Sequence, residues 1–352
     1  MTSDQWTSST TLDDIAVRLR EATSVLALTH TKPDGDALGS TLALVRTLNR
    51  IGVHASVAYT GPWPHRFDTI VEDTPVLHTG IESVDRGILD DPDLVMILDT
   101  GSWSQLAELD SFLRPRPDRN IVIDHHLHGD PDVADTRVVE TDAAAACQTV
   151  ARLCVRLLDL NSPSQLPLDI ATPLYLGIAT DTGWFKFSNV QPETLDLAAQ
   201  LLRTGLNHAL LYETIEQSDR PQRLLLEARA LGSMQLHDDQ RISICTLTSQ
   251  DFAQTKGGPE DTGSFSSIPL RIAGVLVSAV LTEREPNHWK VSLRSKTAPS
   301  GGPAVDVNHI AVSLGGGGHA QAAGCSLEGE LEGVTRLLLD AISKEMHAET
   351  HA

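Results

Sequence analysis

His30 is followed at four and six residues by Asp34 and Asp36, so one short segment, Thr29-His30-Thr31-Lys32-Pro33-Asp34-Gly35-Asp36, can aim an imidazole and two carboxylates at a single point. Gly35 between the acids lets the backbone turn there. Groups of the same kind recur downstream: Asp99, the run Asp124-His125-His126, and Asp181 within Thr180-Asp181-Thr182-Gly183. Oxygen and nitrogen donors without a thiolate suit Mn²⁺ or Mg²⁺ and tolerate Co²⁺ or Zn²⁺, and at least four aspartates with two or more histidines suffice for two ions. Taken singly, each motif has an ordinary structural explanation. A strand-end Asp caps a helix, a His pair sits on the surface, and Asp-x-Asp arises by chance in an acidic chain. Taken together they point to a metal site, because capping needs one acid per helix and no histidine beside it.

The elements that must position these groups are legible as alternating apolar runs and helical patterns, the mark of a largely parallel sheet flanked by helices. Strands are expected at Ser24–Leu28, Val53–Ala58, Leu94–Leu98 and Asn120–Ile123, with helices over Ala37–Arg50 and Ala143–Leu158. Three of the four strands run directly into the polar groups above, and open parallel sheets collect ligands at the carboxyl ends of their strands. After Phe187 the pattern changes to helices over Pro192–Arg203 and His208–Gln217. The expected division is therefore 1–187, a helical connector 188–217, and a smaller α/β domain 218–352. In the last, strands are expected at Arg241–Leu247, Arg271–Leu281 and Trp289–Arg294, and helices at Val305–Leu314 and Leu331–Met346. Gly257-Gly258-Pro259 and Pro299–Pro303 read as turns.

Two features of the second half could hold an anion. Arg294, Ser295 and Lys296 form a compact polar and basic segment at a strand end, and Gly315-Gly316-Gly317-Gly318-His319 lies between two helical patterns. A glycine run is usually a flexible linker. Here it is followed by small residues through Gly324, which fits a tight turn whose backbone N–H groups approach a phosphate, with His319 donating to the same anion. Trp184 and Phe185 beside Asp181 read as packing residues, and Cys147 and Cys154, seven apart, as core.

Composition narrows the partners. The 352 residues include 27 Lys plus Arg and 47 Asp plus Glu, a net charge of −20, which disfavours long duplex DNA and anionic membranes and makes any phosphate substrate depend on local cations. Four cysteines without a CxxC pair fit neither structural zinc nor a disulfide framework. A polar Met1–Thr11 and the short apolar run Ile272–Leu281 give no signal peptide or membrane span, so a cytoplasmic location is expected.

The ordered set His30-x-x-x-Asp34-x-Asp36, Asp99, Asp124-His125-His126 and Asp181, followed by Gly315-Gly316-Gly317-Gly318-His319-x-x-Ala322-Ala323-Gly324, resembles the DHH phosphoesterase family. Within it, the likeness is to the short bifunctional oligoribonucleases and pAp phosphatases, and it covers the chain from the strand before His30 to the final helix. The resemblance implies that His30, Asp34 and Asp99 hold one metal, and that Asp36, Asp99, His125 and Asp181 hold a second, with Asp99 bridging. It places His126 beside the substrate phosphate and gives Asp124 the task of orienting a ligating histidine. Arg294-Ser295-Lys296 and Gly316-Gly317-Gly318-His319 correspond to segments that bind nucleotide substrate, and the C-terminal domain to the DHH-associated type. The family has an Asn shortly after the paired histidines and an Arg after the bridging Asp, where this chain has Leu127-His128-Gly129-Asp130 and Thr100-Gly101-Ser102-Trp103.

The activity this resemblance implies is that of a phosphodiesterase using two divalent ions, Mn²⁺ foremost with Mg²⁺ or Co²⁺ as alternatives, which degrades very short RNA or dinucleotides to mononucleotides and also dephosphorylates pAp. No covalent intermediate is needed. A homodimer is compatible with the resemblance, and the oligomeric state stays open. Rival readings are a phosphodiesterase for cyclic dinucleotides or for pApA and pGpG, a manganese inorganic pyrophosphatase, and a non-catalytic nucleotide sensor. The glycine tract argues against the pyrophosphatase, and the complete donor set argues against the sensor.

Overall fold

Short runs rich in Val, Ile and Leu form six parallel strands, β1 (Ser24–Leu28), β2 (His54–Thr60), β3 (Val76–Thr79), β4 (Leu94–Leu98), β5 (Asn120–Asp124) and β6 (Thr136–Val139), in the order β3-β2-β1-β4-β5-β6. β4 and β5 are buried at every position, as strands covered by helices on both faces must be. The winding direction reverses between β1 and β4, and open α/β sheets bind ligands in the crevice outside the strand ends at such a point. This computed structural model describes residues 5–61, 63–79, 91–299 and 301–349. Ser300, inside the expected turn Pro299–Pro303, and the first four residues of the polar N-terminus lie outside the described residues.

Three helices set the positions behind the crevice: Gly35–Arg50, Ala146–Leu157 and Leu168–Asp181. The first and third approach so closely that a Cβ on Gly35 would lie 2.1 Å from Thr180 Oγ1, and one on Gly39 would lie 2.3 Å from the Pro173 carbonyl oxygen. A Cβ on Gly177 would lie 2.3 Å from Cys147 Sγ and 2.8 Å from Asp36 Oδ1. Gly35 is therefore needed for contact between helices, not for a special turn between the two acids as the sequence suggested; it already belongs to the helix that Asp34 caps.

The chain divides into two compact units, Met1–Ser218 and Asp219–Ala352. Helices Pro192–Leu202 and His208–Glu216, in the stretch expected as a connector, bury Leu197, Leu201, Leu211 and Ile215 in the core of the first unit. The second unit holds a mixed sheet ordered β11-β12-β10-β9-β8-β7, built from β7 (Gln235–His237), β8 (Ile242–Leu247), β9 (Val277–Glu285), β10 (His288–Ser295), β11 (Gly317–His319) and β12 (Ala322–Glu328). Only β8 and β9 pair in parallel. Alternation divides its faces: Ile242 and Ile244 pack in the core with Ile310, Leu338 and Ile342, whereas Cys245 and Leu247 pack with Leu226 and Phe265.

Several expected boundaries move. The apolar run from Arg271 starts as strand only at Val277, because Phe265–Arg271 winds as a 3₁₀ helix and a turn closes from Val275 N–H to the Ile272 carbonyl. The helix expected from Ala143 begins at Ala146. The glycine tract is a turn only at its start, where Gly315 N–H and Gly316 N–H close the preceding helix on the Val312 and Ala311 carbonyls; Gly317–His319 forms the edge strand β11, paired to β12 with Gly317 opposite Gly324. Among the described residues no helix is long and apolar enough to cross a membrane. All four cysteines are buried and unpaired.

Candidate metal centre

The carboxyl ends of β1, β4 and β5 and the end of helix Leu168–Asp181 bring His30, Asp34, Asp36, Asp99, His125, His126 and Asp181 together. Their donor atoms form three overlapping groups: His30 with Asp34 and Asp99, Asp36 with His125 and Asp181, and Asp99 with His125 and His126. In the first, His30 Nε2 lies 3.5 Å from Asp99 Oδ2 and 3.8 Å from Asp34 Oδ1. His125 Nε2 lies 3.3 Å from Asp99 Oδ1, 3.7 Å from Asp181 Oδ2 and 3.8 Å from Asp36 Oδ2. Asp99 thus faces both imidazoles, one with each carboxylate oxygen.

Local backbone chemistry holds these groups. Asp34 Oδ1 accepts the N–H groups of Asp36 and Ala37 and caps its helix. Asp36 is fully buried, and its carboxylate accepts Ala146 N–H at 2.6 Å and Cys147 N–H at 2.9 Å, at the start of the next helix, where unpaired amides favour an anion. Asp99 ends β4 with φ of +61°, a conformation Asp tolerates better than most residues and one that aims its side chain across the strand ends. The rings of His30 and His125 have Nδ1 within 3.1 Å of the Thr31 carbonyl and 3.2 Å of the Ala143 carbonyl. In the neutral ring, a proton donated there leaves the Nε2 lone pair, on the side of the carboxylates, free to ligate a metal.

Asp124 sets the histidine that follows His125. Its Oδ1 accepts the backbone N–H groups of His125 and His126 and lies 2.7 Å from Nδ1 of His126, so it orients His126 and not the ring of His125, which the Ala143 carbonyl supports. His126 is half exposed and its Nδ1, engaged by Asp124, is 3.9 Å from Asp99 Oδ1.

Burial and the neighbouring charges work against each other at this site. Burial opposes charge on His30, but hydrogen bonds and attraction from Asp34 and Asp99 win and raise it to about 10. For His125 burial is likewise outweighed by Asp99, Asp36 and Asp181, again to about 10. Burial pushes Asp181 up to about 6 and raises Asp36, with the charges of Asp99 and Asp181 adding to the latter. Asp99 is the exception: burial is overcome by His125 and His30 and it falls to about 2. Its Oδ1 is nevertheless buried without a well-formed hydrogen bond, although His125 Nε2 is 3.3 Å away. A buried, ionised oxygen left without a partner is costly unless a cation meets it, and an all-oxygen-and-imidazole donor set matches a hard or borderline divalent ion.

The expected substrate residues of the second unit separate into two kinds. Ser295 is buried, donates to the Lys296 carbonyl and accepts Val305 N–H, and Lys296 Nζ donates to the carbonyls of Ile272 and Ala273. Both therefore brace their own loops. Arg294 is partly buried, donates to the Leu293 carbonyl, and burial lowers its pKa. Gly316, just before β11, and Gly318 within it face crowded backbone, where a Cβ would come within 2.2 Å of Gly324 O and 2.5 Å of Ala322 O, whereas a Cβ on Gly317 meets nothing within 4 Å and His319 is exposed.

Sequence reasoning did not reach the supports: the Ala143 carbonyl, the amides of Ala146 and Cys147, and the glycine contacts behind Asp36. Backbone groups carry no residue signature, but the Gly35, Gly39 and Gly177 positions within helices were a usable signal. The two segments that depart from the family pattern are stitched together, with Asp130 N–H donating to the Gly101 carbonyl at 2.7 Å and Asp130 Oδ2 accepting Trp103 N–H at 2.8 Å.

A parallel sheet in this order, with carboxylates and imidazoles gathered at its switch point, places the protein among the α/β phosphoesterases. The chain belongs to the DHH family: residues 24–178 match the DHH family N-terminal domain, and residues 246–348 match the DHHA1 domain. It is 33% identical over 320 residues to the bifunctional oligoribonuclease and PAP phosphatase NrnA of Thermus thermophilus, covering 90% of this chain and 89% of that protein. Identity to the protein of the same name from Mycoplasma pneumoniae is 26% over 321 residues, covering 88% of this chain and 89% of the relative. The crystal structure of an exopolyphosphatase-related protein from Bacteroides fragilis superposes with a TM-score of 0.84 at 24% identity, covering 96% of each chain, and shares the fold.

Proposed function

We propose that this protein is a cytoplasmic hydrolase that cleaves very short RNA and dinucleotides to mononucleotides and removes a phosphate from pAp, using two divalent ions, Mn²⁺ foremost with Mg²⁺ or Co²⁺ as alternatives. The observation that carries this reading is Asp99, a buried carboxylate shared by two His/Asp groups at the switch point of the sheet. The relatives above, matched along about nine-tenths of their length, supply the substrate class. Buried, unpaired cysteines fit a reducing compartment.

In this reading His30, Asp34 and Asp99 hold one ion, and Asp36, Asp99, His125 and Asp181 the other. Bound there, the ions supply Lewis acidity toward the phosphoryl group and activate the attacking water. The remaining work belongs to the chain. Asp124 holds Nδ1 of His126, which fixes the ring and directs Nε2–H to a phosphoryl oxygen, while the Asp124 hydrogen bond raises the pKa of His126 and keeps that proton in place. Arg294, His319 and the open face of Gly317 contact a distal phosphate; Ser295 and Lys296 keep that strand end in shape.

A turnover panel of pApA, pGpG, pAp, cyclic di-AMP and pyrophosphate with Mn²⁺ or Mg²⁺ tests the proposal. Dinucleotide and pAp turnover is expected. Pyrophosphate turnover far above both, or no metal-dependent turnover of any short oligonucleotide, overturns it.

A further inference from the structure

We propose that Trp6 is a positioning residue that holds His126 in place by clamping together the two loops that follow β4 and β5. The inference rests on the role given to His126 above. The indole lies against both loops at once: a Cβ added to Gly101, two residues after Asp99, would fall 1.8 Å from the ring, and one added to Gly129, three residues after His126, would fall 2.4 Å from it. Trp6 Nε1–H donates to the carbonyl of His126 at 3.2 Å. Asp124 therefore fixes the imidazole of His126 while Trp6 fixes its backbone, and the bond from Asp130 N–H to the Gly101 carbonyl closes the same loops on the other side.

The segment carrying Trp6 is anchored, not draped. Ser9 N–H donates to the Arg137 carbonyl at 2.9 Å, Arg137 N–H to Ser9 Oγ, Val139 N–H to Ser8 Oγ, and Arg137 Nε to the Thr7 carbonyl, so residues 7–9 run along the edge strand β6. The Arg137 guanidinium, itself buried, lies 5.9 Å from the Trp6 ring. Gly101 and Gly129 stand in the two segments where the chain leaves the family pattern, and the contacts give a physical reason for both glycines: any side chain there would occupy the space of the indole.

The test uses the full chain. Trp6→Phe keeps the ring and removes the N–H, and Trp6→Ala removes both. Trp6→Phe should lower kcat on a dinucleotide by about two- to tenfold, the worth of one neutral hydrogen bond, and Trp6→Ala by about a hundredfold, with KM unchanged in both. A kcat for the phenylalanine variant about tenfold or more above that of Trp6→Ala is the conservative rescue. Hydrogen exchange on the metal-free proteins supplies a readout independent of catalysis: peptides covering 99–105 and 124–131 should exchange faster in Trp6→Ala while the rest of the first unit is unchanged. If no dinucleotide is a substrate, the exchange pattern still decides whether the clamp exists, and the kinetic arm moves to bis-p-nitrophenyl phosphate. Unchanged exchange in those two loops with unchanged kcat overturns the proposal. So does faster exchange throughout residues 5–218, which would make Trp6 a general stability residue; if Trp6→Ala does not fold, the same comparison on Trp6→Phe decides.

Discussion

Gly177→Ala is the sharpest probe of how the fold builds the centre, because it adds one methyl group to a residue that touches no substrate. That methyl would sit 2.3 Å from Cys147 Sγ and 2.8 Å from Asp36 Oδ1, and moving the sulfur out to 3.4 Å, where ordinary contact begins, takes about 1.1 Å. Both neighbours are buried, so helix Leu168–Asp181 must back away from helix Gly35–Arg50. Asp181 lies one turn beyond Gly177 on the same face and moves with it, away from His125 Nε2, now 3.7 Å distant. Overpacking of this kind costs about 1–3 kcal/mol, which for a unit of this size lowers Tm by roughly 2–12 °C. A displacement of about 1 Å at a ligand should cost about a hundredfold in kcat on a dinucleotide. The matched control is Gly333→Ala in helix Leu331–Glu349, where a Cβ meets nothing within 4 Å; it should leave activity unchanged and raise stability slightly. Adding Cys147→Ala to Gly177→Ala removes the nearest obstacle and should restore part of the loss. Turnover within about twofold of the parent, with Tm unchanged, would refute the claim that glycine contacts set the position of Asp181.

Other expectations rest on the same geometry. Asp99→Ala should abolish turnover on every substrate and reduce bound metal measured by elemental analysis; near-parental activity would falsify the shared-ligand assignment. His126→Ala should lose turnover yet keep its metal content, and loss of a metal equivalent would move His126 into the coordination sphere. In the metal-free protein the raised pKa of His30 and His125 stabilises the fold fully below the ordinary 6.5 and ceases to do so as pH rises through about 10, so its Tm should decline across that window. The same protons oppose metal, so metal affinity should rise with pH over that range with proton release measurable by calorimetry in buffers of different ionisation enthalpy; pH-independent binding would contradict this. Gly317→Val should fold, since the position is open, and should weaken dinucleotide turnover while sparing slow hydrolysis of bis-p-nitrophenyl phosphate; equal loss on both substrates would remove β11 from the substrate contacts.

Much of the scaffold was legible because its strands are buried on both faces. β1 and β4 coincide with the expected Ser24–Leu28 and Leu94–Leu98, continuous apolar runs that end in polar groups. β3 and β6 were not, since four residues such as Val76–Thr79 carry too little periodicity to stand out from a loop. The strand expected at Arg271–Leu281 failed in the opposite way: largely apolar, it holds a glycine, and its first half closes a turn whose Leu276 N–H donates to the Arg241 carbonyl before pairing begins at Val277. Glycine was the residue most often misread, because its two uses, freedom of φ and absence of a Cβ, look alike in sequence. Gly315 and Gly318 do have positive φ, but Gly316 is there to let β11 approach β12, and Gly35 to let two helices touch.

The donor residues were easier to find than what holds them, and Asp34 shows why. Read from sequence, capping and metal ligation compete as explanations of a strand-end aspartate. In the structure Asp34 caps its helix, its Oδ1 accepting two N–H groups, and the same carboxylate stands in the group with His30 and Asp99 that could hold an ion, so the two explanations do not exclude each other. Asp124 likewise accepts the amides of His125 and His126 and orients the His126 ring through the same oxygen. A cap is thus the means by which the carboxylate is aimed, since the helix start fixes the side chain that satisfies it. Asp36 extends the argument by taking its amides from a different helix, 110 residues further along the chain. Such a contact leaves no local pattern in either segment, so the chemistry of this site can be read from residue types while its rigidity can be read only from the packing.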